Sequence, residues 1–271
     1  MSWDHPEIRH AIERALAEDI GSGDVTTESC VPADQMARGF FLTREPLTLA
    51  GLDLLGLIYT EEDLEVLYSD GTALEAETIF ARVKGKARRL LTLERTALNF
   101  LQRTCGIATQ AARYAAAVEG TGTKVLDTRK TIPGLRRLEK LSVAVGGCQN
   151  HRFGLFDAIL IKNNHIAAAG GVSKALERCR ESGLPVEIEV RTFEELDEAL
   201  AAGAQRLLLD NFSVDEVRRA VERIGSRAKT EVSGGVTLET VRAYAETGVD
   251  FVSCGALTHS APAADISFRI E

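Results

Sequence analysis

Apolar positions along this chain of 271 residues follow two rhythms, with the change near residue 105. Before it, residues 6–19 have helical spacing, and Gly21-Ser-Gly-Asp24 reads as a turn. Strand-like runs follow over 37–43, 64–68 and 78–84. Leu90, Leu93, Ala97, Leu98 and Leu101 then recur at helical period through residue 105, and a second helix is expected to continue to about Val118. Helices on one face of a mixed sheet accommodate this order, giving an α+β region.

After residue 120 the pattern becomes strand, loop, helix, repeated. Strands are expected over 124–128, 158–162, 186–190, 206–210, 230–233 and 251–254, with amphipathic helices over 171–182, 193–202, 213–224 and 237–247. Gly183, Gly203, Gly225 and Gly248 stand where helix C-termini would fall. Strand ends at 162, 189, 210, 233 and 255 are 21 to 27 residues apart, the length of one βα unit. Near-continuous apolar strands imply a parallel sheet covered by helices, either doubly wound or closed as a barrel. The strand ends favour the barrel, because Asp127/Arg129, Lys162, Glu189, Asp210, Ser233 and Gly255 all fall at the edge that forms a barrel's active-site face. Six units are fewer than eight, so the barrel is expected to be incomplete or closed by the segment around 105–120.

Composition narrows the function classes. Hydrophobic residues make up 45% and charged residues 27%, values of an ordinary globular chain, and aromatics only 6%, so Leu, Val, Ile and Ala build the core. No apolar run is long enough to span a bilayer, and the start lacks the basic and apolar segments of a secretion signal, so a cytoplasmic protein without membrane partners is expected. The five cysteines (30, 105, 148, 179 and 254) show no metal-ligand spacing and read as reduced thiols. A net charge of −8 argues against nucleic-acid binding. The balance reverses between Lys124 and Lys162, where eight Lys/Arg face three Asp/Glu, an excess of five. Such a stretch suggests a small anionic ligand; the alternative is a solvated basic helix face, for which residues 135–140 are candidates.

The strand ends suggest the chemistry. Glu189 and Asp210 finish adjacent strands, and such a pair can hold Mg²⁺ through water or accept ribose hydroxyls. A glycosidase also uses two carboxylates, but that reading leaves Arg129, Lys130, His151, Arg152 and Lys162 unexplained. These cations suit carboxylate and phosphate oxygens. Ser233-Gly-Gly235 and Cys254-Gly255 could each precede a helix N-terminus and take a phosphate. A phosphate end, a carboxylate pair and a cation cluster fit a phosphorylated sugar reacting with an acidic partner. A non-catalytic phosphate sensor would need the phosphate end without the carboxylates.

Three segments closely resemble the core signature of the quinolinate phosphoribosyltransferases: Asp127-Thr-Arg-Lys-Thr-Ile-Pro-Gly-Leu-Arg136, Asn150-His-Arg-Phe-Gly-Leu155 and Leu160-Ile-Lys-Asn-Asn-His-Ile166. The similarity extends from Glu18-Asp-Ile-Gly-Ser-Gly-Asp-Val-Thr-Thr27 through Glu94-Arg-Thr-Ala-Leu-Asn99, Gly106-Ile-Ala-Thr109 and Leu209-Asp-Asn211 to Ser253-Cys-Gly-Ala-Leu-Thr-His259. The resemblance implies an N-terminal α+β sandwich-like domain, residues 1–106 with 260–271 returning to it, packed on a partly open parallel α/β barrel, residues 107–259. It implies joining of quinolinate to phosphoribosyl pyrophosphate with loss of carbon dioxide and pyrophosphate, a step of NAD biosynthesis. Arg129, His151, Arg152 and Lys162 would bind the quinolinate carboxylates, and Lys130 would lie near the pyrophosphate. Glu189 and Asp210 would meet the ribose and Mg²⁺, while Ser233, Gly234, Gly255 and His259 would line the 5′-phosphate end. Arg95 would complete the site of a neighbouring subunit, making the active unit at least a dimer. Asn163 stands where the family often carries an acid, and Val143–Val145 is more apolar than in many relatives. A nicotinate enzyme would bind one carboxylate, for which this cation cluster is excessive; the basic cluster likewise favours quinolinate over the family's molybdenum-associated branch.

Overall fold

The computed structural model describes residues 2–271. In chain order the first elements are α1 (Pro6–Ile20), α2 (Val25–Cys30), β1 (Met36–Thr43), β2 (Leu47–Thr48), α3 (Asp53–Ile58), β3 (Asp63–Val66), β4 (Ala73–Leu74), β5 (Ile79–Lys86) and α4 (Ala87–Ala117). There follow β6 (Lys124–Leu126), α5 (Arg136–Val145), β7 (Ile159–Ile161), α6 (Asn163–Ala169), α7 (Val172–Cys179), β8 (Val186–Val190), α8 (Phe193–Ala201), β9 (Arg206–Asp210) and α9 (Val214–Ile224). The last are β10 (Lys229–Ser233), α10 (Val241–Ala245), β11 (Phe251–Ser253), α11 (Ala256–His259) and β12 (Ile266–Ile270). Contacts divide the chain into two compact units. One holds residues 2–112, 131–147 and 257–271; the other holds 113–130 and 148–256.

In the first unit an antiparallel sheet has the order β12-β1-β5-β3, so the last strand of the chain pairs with the first long one. Its apolar face meets helices around a core that includes Phe41, Tyr59, Phe80, Leu90 and Leu101. The Phe41 ring packs edge-on to Tyr59, with 6.0 Å between centroids. Pro6 opens α1, His5 Nδ1 accepts the Glu7 N–H, and Ile8 and Ile12 enter the core one turn apart. The Gly21–Asp24 turn ends in an N-cap, with Asp24 accepting the Thr27 N–H at 2.9 Å and the Thr92 hydroxyl at 3.0 Å.

Two expectations change here. Residues 87–117 form one helix of 31 residues and not two in succession. Gly106 permits a close crossing of the helix: a Cβ on it would lie 2.0 Å from the Pro262 carbonyl oxygen. The glycine therefore marks a close approach and not a break. Residues 135–140 are not a solvated basic face. They open α5, in which Leu138, Glu139, Lys140, Leu141, Ser142 and Val143 are buried.

In the second unit six parallel strands run in the order β6-β11-β10-β9-β8-β7, with right-sized helices between the later ones. The expected ranges of β8 and β9 are those observed. β6 and β7 are the two ends of this order, and Gln149 runs alongside Leu126 as a single parallel bridge beside β6. The sheet is thus open between its first and last strands, as a partly open barrel requires, and the segment 105–117 contributes helix instead of a closing strand. α9 starts with a reciprocal Ser213–Glu216 capping box and stops at Gly225. Gly203 and Gly248 also follow helix ends, whereas α7 finishes at Cys179, short of Gly183.

Candidate active site

Strand register decides which side chains share a face. Ile188 pairs with Leu207, Glu231 with both Leu208 and Phe251, and Ser233 with Asp210 and Ser253. Because side chains alternate, Lys162, Glu187, Glu189, Arg206, Asp210, Glu231, Ser233 and Ser253 all lie on one face. Ile188, Val190, Leu207, Leu209, Val232 and Val252 lie on the other and are fully buried. The strands are therefore not uniformly apolar: their hydrophobic face meets helices, and their inner face is polar.

At the C-terminal strand edge, Lys162 follows the Ile161–Ile188 pair and so stands beside Glu189. Burial and the neighbouring Asp210 charge push the Glu189 carboxyl above the usual range, against the pull of Lys162 and Arg191. Arg191 bridges the two acids: its Nη2 donates to Glu189 Oε1 at 3.2 Å and its Nε to Asp210 Oδ2 at 3.1 Å. Two hard carboxylates already gathering one cation fit the oxygen donors that Mg²⁺ takes.

Next along the edge, Asn211 adopts φ 60°, an uncommon left-handed backbone for a residue with a side chain, and its N–H donates to the Ser233 carbonyl at 2.8 Å. Gly234 (φ 107°) packs so closely that a Cβ would come 2.2 Å from Asn211 Oδ1. The Ser233-Gly-Gly turn is thereby fixed against the strand end carrying Asp210. It does not lead directly into a helix, since α10 starts only at Val241. Gly255 does precede one, the four-residue α11.

His151 belongs to a lower polar level. Asp127, fully buried at the end of β6, accepts the Asn150 side-chain amide at 2.7 Å and the His151 N–H at 2.8 Å, anchoring that segment. His151 Nδ1 accepts the Arg152 N–H at 2.7 Å, which assigns the ring proton to Nε2, 3.0 Å from Glu187 Oε2. Arg206 joins Glu187 Oε1 at 2.9 Å and also contacts Glu231 Oε2. Burial and the nearby Glu187 charge push the Glu231 carboxyl up to about 7. Burial would raise Glu187 too, but His151 and Arg206 outweigh it and hold that carboxyl below its usual range. One proton on Glu231 leaves the network balanced, with Glu187⁻ facing Arg206⁺. His151, Glu187 and Glu231 offer donor atoms within 4.8 Å of one another, yet Arg206 already supplies the cation there.

This level opens on a cleft of about 400 Å³ lined by residues that begin β7, β8, β9 and β11, the edge opposite Glu189 and Asp210. Arg152 lines it, donates to the Ala158 carbonyl at 3.1 Å, and has its guanidinium pKa lowered by burial and by the charge of Arg129. Arg129, His151 and Arg152 thus form one neighbourhood, and Lys162, Glu189 and Asp210 another, on the same unit. Lys130 is exposed, its N–H donating to the Thr128 hydroxyl at 3.0 Å.

Two expected residues fall in the other unit: Arg95, exposed on α4, and His259, exposed at the end of α11. That unit also holds a buried ion pair, Arg103 Nη2 to Glu139 Oε1 at 2.6 Å, with the Glu139 side chain fully enclosed. Sequence reading missed Arg191, Glu187, Arg206 and Glu231. The signal was present as alternation in Val186-Glu-Ile-Glu-Val190 aligned with Arg206 and Glu231.

Residues 24–105 match the family model for the N-terminal domain of quinolinate phosphoribosyl transferase, and residues 107–269 match that for its C-terminal domain. The chain is 46% identical to the nicotinate-nucleotide pyrophosphorylase [carboxylating] of Mycobacterium leprae, over 97% of this chain and 96% of that one. It is 41% identical to the quinolinate phosphoribosyltransferase [decarboxylating] 1b of Nicotiana tabacum, covering 98% and 84%. Among solved structures, NadC from Streptococcus pyogenes superposes with TM-score 0.93 at 38% identity, covering 98% and 96%. The nicotinate-nucleotide pyrophosphorylase of Francisella tularensis gives 0.93 at 39% identity, covering 99% and 98%.

Proposed function

The chain belongs to the quinolinate phosphoribosyltransferase family, and from that premise we propose how its residues carry out the family's reaction. The enzyme transfers phosphoribosyl from phosphoribosyl pyrophosphate to quinolinate with decarboxylation, giving nicotinate mononucleotide, carbon dioxide and pyrophosphate for NAD biosynthesis. The observation that carries the residue roles is the common strand edge shared by Lys162, Glu189, Asp210 and Ser233.

Glu189 and Asp210 face the ribose. Their negative charge favours the cationic character that develops at the anomeric carbon as the bond to pyrophosphate breaks and the pyridine nitrogen attacks. The same two carboxylates would hold Mg²⁺ through water, and that ion would neutralise the departing pyrophosphate. Lys130 adds charge for the leaving group. Ser233, Gly234 and Gly255 receive the 5′-phosphate. The family resemblance assigns the two quinolinate carboxylates to Arg129, His151, Arg152 and Lys162, cations suited to carboxylate oxygens; Lys162 stands on the Glu189–Asp210 edge and supplies the contact there. Once the nitrogen is quaternary, the adjacent carboxylate leaves as carbon dioxide, its bonding pair stays on the ring carbon beside the positive nitrogen, and a proton from water completes the product.

Arg95 serves the site of a partner subunit in this reading, so the active form is at least a dimer. The five free cysteines are in keeping with a reducing cytoplasmic setting.

Two variants separate the roles. With folding intact by circular dichroism, Lys162→Ala should raise KM for quinolinate and lower kcat/KM by about 10- to 100-fold, the range for losing a hydrogen bond to a charged group. Glu189→Gln should instead act on phosphoribosyl pyrophosphate and the divalent-ion requirement. Unchanged kcat/KM in either variant removes that residue from the site.

A further inference from the structure

Arg191 is a charged side chain that touches both members of the carboxylate pair, and neither the family resemblance nor the sequence reading gave it a task. Its position is built in. The Arg191 N–H donates to Glu195 Oε2 at 2.7 Å, and the adjoining Thr192 caps α8 by accepting the Glu195 N–H at 3.2 Å. The backbone is therefore pinned while the side chain, 48% exposed, remains able to turn away. The acids it reaches are the less mobile partners, their side chains 8% and 14% exposed.

Each bond to Arg191 occupies an oxygen that a cation or ribose hydroxyl would use. Nη2 takes Glu189 Oε1 and Nε takes Asp210 Oδ2. A planar guanidinium across two carboxylates partly neutralises them in the absence of substrate, which stabilises a buried pair of like charges. The same arrangement opposes entry of a divalent ion, both by occupying the ligands and by charge repulsion.

We propose that Arg191 is an internal counter-ion that closes the Glu189–Asp210 pair in the substrate-free enzyme and must swing out before the metal and sugar substrate engage it. It thereby raises the divalent-ion concentration that the free enzyme needs, and keeps the metal from settling there ahead of phosphoribosyl pyrophosphate. The inference rests on the assignment of Glu189 and Asp210 as the metal-binding pair.

The test is Mn²⁺ binding to the full-length enzyme without substrate, followed by loss of the free-ion signal in electron paramagnetic resonance, for wild type, Arg191→Gln, Glu189→Gln and Asp210→Asn. The expected result is that Arg191→Gln binds Mn²⁺ about five- to tenfold more tightly than wild type, the scale of releasing a two-sided, half-exposed ion pair. Arg191→Lys, which keeps one charge but not the two-sided fork, should fall between. Glu189→Gln and Asp210→Asn should weaken binding. If Arg191→Gln binds Mn²⁺ no more tightly than wild type while the two acid variants weaken it, the counter-ion role is overturned and the metal assignment stands. If the acid variants bind as wild type does, the metal assignment itself fails, and this inference with it.

Discussion

Replacing Glu231 by Gln tests the lower polar level. Glu231 is fully buried on β10, one carboxylate oxygen facing Arg206 and the other 3.5 Å from His151 Nε2. Its carboxyl ionises near 7 in the folded chain against an ordinary 4.5, so between these values the folded state binds more protons than the unfolded state. Stability contributed by the neutral acid is present below pH 4.5 and is lost as pH rises through 7. The difference between these two values corresponds to roughly 3 kcal/mol at most, and relaxation of the network reduces it. Gln keeps the shape and cannot ionise. Urea unfolding of both proteins between pH 5 and 8 should show wild type losing of order 2 kcal/mol relative to Glu231→Gln. Parallel curves would mean that Glu231 is not the proton holder and that the charge balance argued for this network is wrong.

Two further outcomes follow from the geometry. Arg103→Ala strands the enclosed Glu139 carboxylate and should cost about 3–5 kcal/mol in chemical denaturation; a loss below 1 kcal/mol would show that the pair is replaceable by water. Mixing Arg95→Ala with Lys162→Ala subunits under exchange should restore about a quarter of wild-type activity, because half the dimers are mixed and each has one intact site. No recovery, with exchange verified, removes Arg95 from a shared site.

The barrel half was the more legible in sequence, and for a physical reason. β8 and β9 are each followed by a helix that starts at a side-chain cap, Thr192 and Ser213, so turn chemistry and apolar spacing agree on their limits. The long α4 was harder, since Gly106 has the local character of a break and only the distant Pro262 carbonyl explains it. α5 was hidden because its basic residues look solvated until neighbours such as Arg103 are placed around Glu139. At the site, strand ends exposed Lys162, Glu189, Asp210 and Ser233, since their order along the chain is their order along the edge. Arg191 and the Glu187–Arg206–Glu231 network escaped because their meaning lies in register: Arg206 reaches two different strands, and no spacing within one segment shows it.

The most direct test of the whole account is one assay of the purified protein with quinolinate, phosphoribosyl pyrophosphate and Mg²⁺, following nicotinate mononucleotide and carbon dioxide together. The account predicts that both appear in equal amounts and that nicotinate does not replace quinolinate as acceptor. Folded protein that binds phosphoribosyl pyrophosphate yet releases neither product would contradict it.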